Sequence, residues 1–264
     1  MTSETYIAIT GASTGIGRAA AKQFADEGRN LILIARNTDD LKTVRAEIQD
    51  AHPDLKVQVR SYDLTNTAQA RALYYSLSDF NIDCWINNAG FGDYKLISDQ
   101  DVNKAMLMIQ LNVEALTLLS MLYVKDHENI QGTQLINVSS VGGYLMVPTC
   151  VTYSATKFYV GAFTENLALE LRHKGAALKA KLYAPAATET NFGKVANDVE
   201  NYDYDDAFGE SYFTSEQSAK YLVQLFHDED HIVGAINRDT FAFKLSQNVF
   251  PYAGDSGRNQ VVEK

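Results

Sequence analysis

Ile7-Ala8-Ile9-Thr10-Gly11-Ala12-Ser13-Thr14-Gly15-Ile16-Gly17 is the stretch from which the rest of the chain is interpreted. Its apolar, β-branched first half predicts a buried strand, which then breaks into three glycines. An alanine-rich helical pattern follows at once. Strand, glycine turn and helix in this order are typical of a unit that binds nucleotide phosphates, because glycines admit a close anion and a helix N-terminus offers unpaired N–H groups. An ordinary glycine turn is the alternative.

Strand-like and helix-like patterns alternate along the chain, which predicts a parallel sheet with helices on both faces. The predicted strands cover residues 6–10, 30–35, 56–62, 84–87, 134–138, 178–183 and 232–236. The predicted helices cover residues 16–27, 39–48, 68–77, 98–123, 152–172 and 214–226, with Ser98 capping the fourth and Asp101 completing its capping box. The chain is therefore predicted to be one Rossmann-type, doubly wound α/β domain of about seven strands over residues 1–264, with a frayed tail from Gly254.

Composition excludes several classes of partner. The net charge of −10 argues against nucleic acid and against an anionic membrane surface as partners, since both need a basic field on the protein.

Two cysteines, Cys84 and Cys150, are too few for a disulfide framework and indicate a reducing, cytoplasmic setting. Neither a signal peptide in residues 1–5 nor a membrane-spanning apolar run is visible, so we expect no membrane insertion. The five histidines lack the spacing of metal ligands, and no metal site is expected.

A tyrosine and a lysine stand four residues apart in Tyr153-Ser154-Ala155-Thr156-Lys157, inside a predicted helix, and therefore share one helix face. An ammonium group beside a phenol stabilises the phenolate, so we expect Lys157 to lower the pKa of Tyr153 and make it an acid or base near neutral pH. A solvated lysine beside a packed tyrosine is the alternative. Ser140, at the end of the fifth predicted strand, is suited to hydrogen-bond a substrate oxygen, with the oppositely directed Ser139 as the alternative.

The motifs Thr10-Gly-x-x-x-Gly-Ile-Gly17, Asn87-Asn-Ala-Gly90 and Tyr153-x-x-x-Lys157, with Asn112 and Ser140 between the last two, stand in a characteristic order. In this order and spacing they resemble the short-chain dehydrogenase/reductase family, in its compact branch of about 250 residues. The resemblance spans residues 6–236. Each motif alone is common, and their combination is specific.

This resemblance implies a catalytic set. Tyr153 would exchange a proton with an alcohol or carbonyl oxygen that Ser140 orients, and Lys157 would lower the Tyr153 pKa and hold the nicotinamide ribose. Asn112 would hold a water that links Lys157 to solvent, although an asparagine on an apolar helix face is more often a satisfied core residue. The residues implied to bind the cofactor are Gly11, Ser13, Thr14, Gly15, Ile16, Gly17, Arg36, Asp63, Leu64, Asn88, Ala89, Gly90, Tyr153, Lys157, Pro185, Thr188 and Thr190.

The end of the second predicted strand bears on cofactor choice. It reads Ile34-Ala35-Arg36-Asn37, without the carboxylate that would bind a ribose 2′-hydroxyl. Arg36 offers a fork of donors suited to a 2′-phosphate, so NADP(H) is expected in preference to NAD(H). A solvent-exposed arginine is the alternative for Arg36. Arg18, which follows the glycine turn, either helps to bind the 2′-phosphate or lies on the surface.

Residues 186–213 show no steady period, and loops of this length are often lids, so this segment is the predicted substrate lid. Its aromatic residues would line an apolar pocket together with Phe91, Tyr144 and Met146. The family usually has glycine after the proline at position 185, whereas this chain has Ala186, which strains the turn if that position needs a positive φ. The aromatic residues of the segment are Phe192, Tyr202, Tyr204, Phe208, Tyr212 and Phe213.

The resulting hypothesis is an NADP(H)-dependent oxidoreductase that transfers a hydride between the nicotinamide and a carbonyl or secondary alcohol, mainly as ketone or aldehyde reduction. A nucleotide-binding regulator on the same fold is the alternative from another class. An epimerase or dehydratase of nucleotide sugars is less favoured, since the short C-terminal part leaves little room for a sugar-nucleotide domain. The partner is a small molecule, and the family resemblance implies a homodimer or homotetramer.

Overall fold

The computed structural model describes residues 4–252, so the ends of the predicted 1–264 domain and the predicted tail from Gly254 lie outside the described residues. The strands are β1 Tyr6–Thr10, β2 Asn30–Ala35, β3 Val57–Ser61, β4 Ile82–Asn87, β5 Gln134–Val138, β6 Lys179–Ala184, β7 Val233–Ile236 and β8 Phe243–Ser246. The α-helices are α1 Gly15–Asp26, α2 Thr38–Ala51, α3 Thr67–Tyr75, α4 Val102–Ile109, α5 Leu116–His127, α6 Val151–Lys174, α7 Phe192–Asn197, α8 Tyr204–Phe208 and α9 Ser215–His227.

The strands form one sheet in the order β3-β2-β1-β4-β5-β6-β7-β8, with helices on both faces. Pairing is parallel from β3 through β7, which confirms the predicted doubly wound α/β class. The eighth strand corrects the prediction of about seven. β8 pairs antiparallel with β7 at the edge of the sheet, and its four residues, Phe-Lys-Leu-Ser, are too few to show a period. The strand order reverses between β1 and β4, which is where such sheets open a crevice for ligands.

Alternation along β1 divides the hydrophobic core between the two faces of the sheet. Tyr6 and Ala8 point into a core that contains Trp85 and Tyr123, whereas Ile7 and Ile9 point into the core beneath α1 and α9. Successive strand residues face opposite sides, so a strand covered by helices on both faces must be apolar throughout. All five residues of β1 are buried. The strand that carries the glycine turn is thus fixed from both sides.

The long helical segment between β4 and β5 begins later than predicted. Asp101 is the N-cap, with its carboxylate accepting hydrogen bonds from the backbone N–H groups of Asn103 and Lys104, so Ser98 does not cap this helix. A π-helical turn, Gln110–Ala115, separates α4 from α5. Among the described residues, one helical stretch, Val102–His127, is long and apolar enough by composition to cross a membrane. Here it packs against α3, α6, β4 and β5.

A buried polar network joins the centre of the sheet to the helices behind it. The Asn87 amide donates to Asn137 Oδ1 at 2.9 Å and to Ser120 Oγ at 3.1 Å, while Trp85 Nε1 donates to Asn87 Oδ1 at 2.8 Å. Asn137 in turn donates to Thr164 on α6 at 2.9 Å. Because a buried amide without partners is costly, this network fixes β4 and β5 relative to α5 and α6.

The C-terminal part of the described chain packs against helix α6. The buried Glu165 carboxylate accepts hydrogen bonds from the backbone N–H groups of Val249 and Phe250, at 2.7 and 3.0 Å. The Phe250 ring lies where a Cβ on Gly161 would meet it at 2.9 Å. Gly161 therefore receives the chain's own C-terminal segment at this point of the helix.

Candidate active site

A cleft of about 1310 Å³ runs along the carboxyl ends of the parallel strands. One end, the glycine end, is formed by residue 11, residues 13–16, Arg36 and Asp63; the other, the aromatic end, is formed by Tyr94, Tyr153 and Phe192. All but two of the predicted catalytic and cofactor-binding residues line it. The exceptions are Gly17 and Asn112, which are buried beside the cleft.

The glycine end is built from backbone. Gly11 and Gly15 have φ values of +68° and +54°, which disfavour any residue with a side chain. A Cβ on Gly15 would also lie 2.9 Å from Cγ2 of Thr190. Thr14 is the N-cap of α1 and makes no side-chain capping bond. The turn therefore presents free backbone N–H groups at the start of a helix, the arrangement that favours a bound phosphate.

Gly17 serves close packing rather than lining the cleft. A Cβ at this position would lie 2.4 Å from the Gly11 carbonyl oxygen and 2.5 Å from Nδ2 of Asn88. The Asn88 amide itself donates to the Thr10 carbonyl at 3.0 Å, and the Thr10 hydroxyl accepts from the backbone N–H groups of Asn88 and Ala89. These contacts join the glycine turn to the end of β4, and they explain why both segments carry recognisable motifs.

Arg36 is exposed at the end of β2 and lines the cleft. Within residues 4–252 its guanidinium makes no hydrogen bond or ion pair. Asp40, in the first turn of α2, lines the same end of the cleft, and Asp63 is occupied by hydrogen bonds from Thr65 at 2.8 and 3.0 Å. Arg18 does not line the cleft, because it is ion-paired with Glu47 on α2.

The aromatic end encloses Tyr153. Its ring lies 5.4 Å from the ring of Phe192 and 5.9 Å from that of Tyr94, measured between centroids. Gly92 allows this approach, since a Cβ there would lie 2.7 Å from the Phe192 ring and 3.3 Å from the Tyr153 ring. The Tyr153 side chain is 7% exposed. Three aromatic rings thus form one wall of the cleft.

The expected lowering of the Tyr153 pKa by Lys157 is wrong for this arrangement of the two side chains. Burial raises the pKa of Tyr153 to about 12, and a hydrogen bond with Ser140 opposes that rise. Lys157 Nζ lies 5.9 Å from the Tyr153 ring centroid and donates to the Val138 carbonyl at 3.0 Å. Burial also lowers the pKa of Lys157 to about 8. Desolvation therefore outweighs the charge of the lysine, which is directed at a strand carbonyl.

Ser140, rather than Ser139, faces the tyrosine. Ser139 is buried on the far side of the strand end, where its hydroxyl donates to the Lys157 carbonyl at 2.9 Å. Ser140 is the N-cap of a short 3₁₀ turn and accepts from the Gly142 backbone N–H at 3.0 Å. Both serines line the cleft, but adjacent side chains at a strand end point to opposite faces, so only the Ser140 hydroxyl is directed at Tyr153.

Asn112 lies in the π-helical turn with both of its amide protons engaged. It donates to the Phe91 carbonyl at 2.9 Å and to Thr156 Oγ1 at 3.1 Å, and its oxygen accepts from the Phe91 backbone N–H at 3.2 Å. A Cβ on Gly90 would lie 3.0 Å from Asn112 Oδ1 and 3.5 Å from Lys157 Nζ. Gly90 thus separates the asparagine from the lysine, and Asn112 fixes the loop after β4.

The turn after β6 accommodates Ala186 without backbone strain. The non-glycine residues of the described chain that have positive φ are Asp198 and Phe241. Thr188 donates to the Ala186 carbonyl at 3.0 Å, and Thr190 accepts from the Phe192 backbone N–H at 3.0 Å. Both threonines and Pro185 line the cleft, so the absence of the family's glycine leaves its wall intact.

Residues 186–213 are more regular than their sequence suggests, because they include the short helices α7 and α8. Six residues or fewer show less than two helical turns, so no period is visible. Tyr144 was expected in the cleft, but its hydroxyl donates to Glu165. Tyr212 donates to Asp205, and Phe213 packs on Phe241, so these aromatics do not line the cleft. Of the aromatic residues expected there, those that line it are Phe91, Phe192, Tyr202, Tyr204 and Phe208.

Sequence reasoning missed Tyr94, Lys104 and Arg238, which also line the cleft. Lys104 stands on the amphipathic helix α4 like an ordinary surface lysine, and its partner Asp198 is 94 residues away. Arg238 lies in the turn between β7 and β8. No local pattern distinguishes such residues. In the described part of the chain, no group of three or more histidine, cysteine or acidic side chains is arranged to hold a metal ion.

Comparison with known proteins now decides the family. A family model described as short chain dehydrogenase matches residues 5–201. The chain belongs to this family. A curated relative, dehydrogenase/reductase SDR family member 11 of Gallus gallus, is 31% identical over 191 residues, which covers 70% of this chain and 74% of the relative.

Solved structures of other short-chain dehydrogenases share the fold. One from Sphingobium yanoikuyae, in complex with NADPH, is 28% identical with a TM-score of 0.71 and covers 83% of each chain. One from Burkholderia phymatum, in complex with NAD, is 23% identical with a TM-score of 0.72 and covers 83% of this chain and 84% of that one. This short-chain dehydrogenase is therefore an oxidoreductase with a nicotinamide cofactor and a small-molecule substrate, and a purely regulatory role is not favoured.

Proposed function

We propose that this short-chain dehydrogenase is an NADP(H)-dependent reductase of ketones or aldehydes, with Tyr153 as the proton donor. One observation carries the proposal: Ser140, Tyr153 and Lys157 converge in the same cleft as a backbone cradle suited to phosphates. A phosphate cradle alone fits a nucleotide sensor. A phenol and a hydroxyl that face each other in that cleft, with an ammonium group buried beside them, fit transfer of a proton to an oxygen atom.

The residues present fit a nicotinamide dinucleotide. The positive φ values of Gly11 and Gly15 admit a pyrophosphate that a Cβ would displace, and the start of α1 offers its N–H groups. Arg36, whose guanidinium has no protein partner within residues 4–252, is suited to a 2′-phosphate, so we assign NADP(H) as the preferred form. When bound, the nicotinamide supplies or accepts the hydride. Lys157 and the backbone at Asn88, Ala89 and Gly90 would hold the ribose and adenosine side.

The protein's own residues would handle the proton. Burial raises the pKa of Tyr153 to about 12, so this side chain is protonated at neutral pH, which is the state that a proton donor in reduction needs. Ser140 would hydrogen-bond the carbonyl oxygen and hold it beside the phenol. The Lys157 charge would stabilise the phenolate that remains, and Asn112 would keep the loop after β4 in place and hold a water that relays protons to Lys157.

The substrate side of the proposal rests on residues 186–213, which we propose to act as a lid. Aromatic residues of this segment line the cleft with Leu107, Leu111, Leu145 and Met146, so an apolar carbonyl compound fits best.

Both cysteines are free and buried, in keeping with a reducing cytoplasm. We propose that the protein forms a homodimer or homotetramer.

The decisive experiment compares wild-type protein with Tyr153→Phe in NADPH consumption across a panel of apolar ketones and aldehydes. Loss of the donor is expected to lower kcat by about 10³-fold, while the Kd for NADPH changes less than about threefold. Tyr159→Phe is the matched control, since this exposed tyrosine lies on the same helix and its hydroxyl hydrogen-bonds Thr117. A Tyr153→Phe variant that keeps more than a tenth of the rate contradicts the role. Wild-type protein that binds NADPH but reduces no carbonyl favours the regulatory alternative.

A further inference from the structure

Lys104, on α4, is the most heavily engaged cation at the cleft outside the proposed catalytic set. Its side chain is 17% exposed. Its Nζ lies 3.1 Å from Asp93 Oδ1 and donates to Asp198 Oδ1 at 2.6 Å and to the Val195 carbonyl at 2.9 Å. The Asp198 and Val195 oxygens accept two of the three ammonium protons, whereas the contact with Asp93 is an ion pair without a hydrogen bond.

Asp93 forms the buried ion pair of Lys104, which is costly to break. It follows Gly92 in the loop after β4, and its side chain is fully buried. Neither carboxylate oxygen accepts a hydrogen bond from the described residues, and Lys104 supplies its one ion pair there. A buried charge needs a partner, because desolvation is otherwise uncompensated. Lys104 is therefore held at the site by Asp93, whatever happens at Asp198.

Asp198 and Val195 belong to the end of α7, at the opposite side of the ammonium group. Asp198 is the C-cap of α7, with φ of +53°, and also pairs with the more exposed Lys95. The Tyr94 backbone N–H donates to the Ala196 carbonyl at 2.7 Å. A helix of six residues has little stability of its own, so these contacts determine where α7 lies.

Phe192 is the first residue of α7 and forms the aromatic wall with Tyr94 and Tyr153. The position of α7 therefore decides how closely Phe192 approaches the tyrosine. Lys104 joins the fixed body of the protein, through Asp93, to the end of this helix. Although Lys104 lines the cleft, its charge is balanced by two carboxylates, so it offers little attraction to an anionic substrate.

We propose that Lys104 is a positioning residue that fastens α7 to the body of the enzyme and thereby holds Phe192 over Tyr153. It acts through α7 rather than on the reacting atoms. The pocket that results takes an uncharged, apolar carbonyl compound. This inference rests on the proposed function for its kinetic consequence, but the fastening of α7 is measurable without catalysis.

The test uses the full chain and limited trypsin digestion, with cleavage after Lys194 in α7 followed by mass spectrometry. Lys104→Met and Asp198→Asn are expected to accelerate this cleavage at least tenfold, and Lys104→Arg to restore most of the protection. Asp198→Asn leaves the Asp93–Lys104 pair intact, so it remains informative if Lys104→Met fails to fold. Lys95→Met, which removes the exposed partner of the same carboxylate, is the matched control and should change cleavage less than threefold.

The kinetic arm measures a neutral apolar ketone and a carboxylate-bearing ketone with NADPH. Loosening α7 should raise the KM of the neutral ketone five- to tenfold, with a smaller change in kcat and an unchanged Kd for NADPH. A KM increase confined to the carboxylate-bearing ketone would instead make Lys104 a receptor for anions and overturn the proposal. Unchanged cleavage in both variants also overturns it. Wild-type protein without reductase activity would contradict the proposed function, and the cleavage result would still decide the role of Lys104.

Discussion

The glycine end and the aromatic end of the cleft are held by different kinds of contact. At the glycine end, backbone conformation and backbone-to-side-chain bonds connect residues 10–17 with Asn88 and Ala89. At the aromatic end, side chains do this work: Lys104 reaches the end of α7, and Phe192 packs on Tyr153. The first end is a rigid turn between a buried strand and a helix, whereas the second depends on a six-residue helix fastened by charges.

This difference assigns separate tasks to the two ends. A cradle made of backbone cannot be altered by changing one surface side chain, which suits a ligand that is the same throughout a family. A wall made of side chains on a short helix changes with any of its members, which suits a substrate that differs between relatives. Substitutions at the two ends should therefore affect different constants, and three experiments examine this.

Gly17→Ala is expected to have the largest effect, confined to the glycine end. Its Cβ would lie 2.4 Å from the Gly11 carbonyl oxygen, so the turn must shift. Overpacking costs about 1–3 kcal/mol, and we expect the Kd for NADPH, measured by fluorescence titration, to rise about 100-fold. Gly28→Ala is the control, since nothing lies within 4 Å of its Cβ, and it should cost about 1 kcal/mol of stability without weakening NADPH binding. Tight NADPH binding by Gly17→Ala would show that the turn is not rigid.

Arg36→Ala should have an intermediate and selective effect. If Arg36 binds the 2′-phosphate, its loss removes charge-assisted hydrogen bonds worth about 1.5–3 kcal/mol, so the Kd for NADPH should rise about 10- to 100-fold. The Kd for NADH should not change. Arg18→Ala serves as control, because Arg18 pairs with Glu47 away from the cleft. Tighter binding of NADH than of NADPH by wild-type protein would indicate that Asp40, and not Arg36, contacts the ribose 2′ position and selects the cofactor.

The pH dependence examines the point where the two ends meet, and its expected effect is the smallest. The folded-state pKa of Lys157 is lowered to about 8, so its charge is present below pH 8 and is lost as the pH rises through that value. The phenolate left on Tyr153 then loses its stabilising neighbour, and kcat/KM for reduction should fall about tenfold by pH 9. In Lys157→Arg the charge persists, so the fall should be absent below pH 10. A wild-type profile that stays flat to pH 10 would mean that the Lys157 charge has no part in the reaction.

Much of the fold follows from local patterns. The apolar runs at β1 and β2 and the helix over residues 214–226 are predicted correctly because their signals are short-range; at the start of that helix, Thr214 and Gln217 bond each other's backbone in a capping box. The sequence predicts the start of helix α4 at Ser98, although Asp101 caps it, because both are good N-cap residues and a turn closed by the Asp99 N–H on the Leu96 carbonyl precedes the helix. β8 was missed because a four-residue edge strand is defined by its partner β7.

The position of the site was likewise predicted from motifs, but its energetics were not. Tyr153 and Lys157 share a helix face as the spacing requires, yet the pKa of Tyr153 is raised, because aromatic rings from α7 and from the loop after β4 bury it. The lysine charge faces the carbonyl of Val138 at the end of β5. Burial of Tyr153 depends on residues far away in sequence, so it cannot be inferred from the spacing of Tyr153 and Lys157.

The sequence by itself determined the glycine end, the strand-and-helix order and the set Ser140, Tyr153 and Lys157, because those features depend on contacts within a few residues or on one strand end. Only the tertiary structure decided that Asp93, Lys104 and Asp198 form one cluster and that Phe192 lies against Tyr153. The physical reason is that a buried ion pair forms between charges that are close in the folded protein, however far apart they stand in the sequence. The opening stretch from Ile7 to Gly17 shows where a dinucleotide fits; the packing of α7 decides what reaches Tyr153.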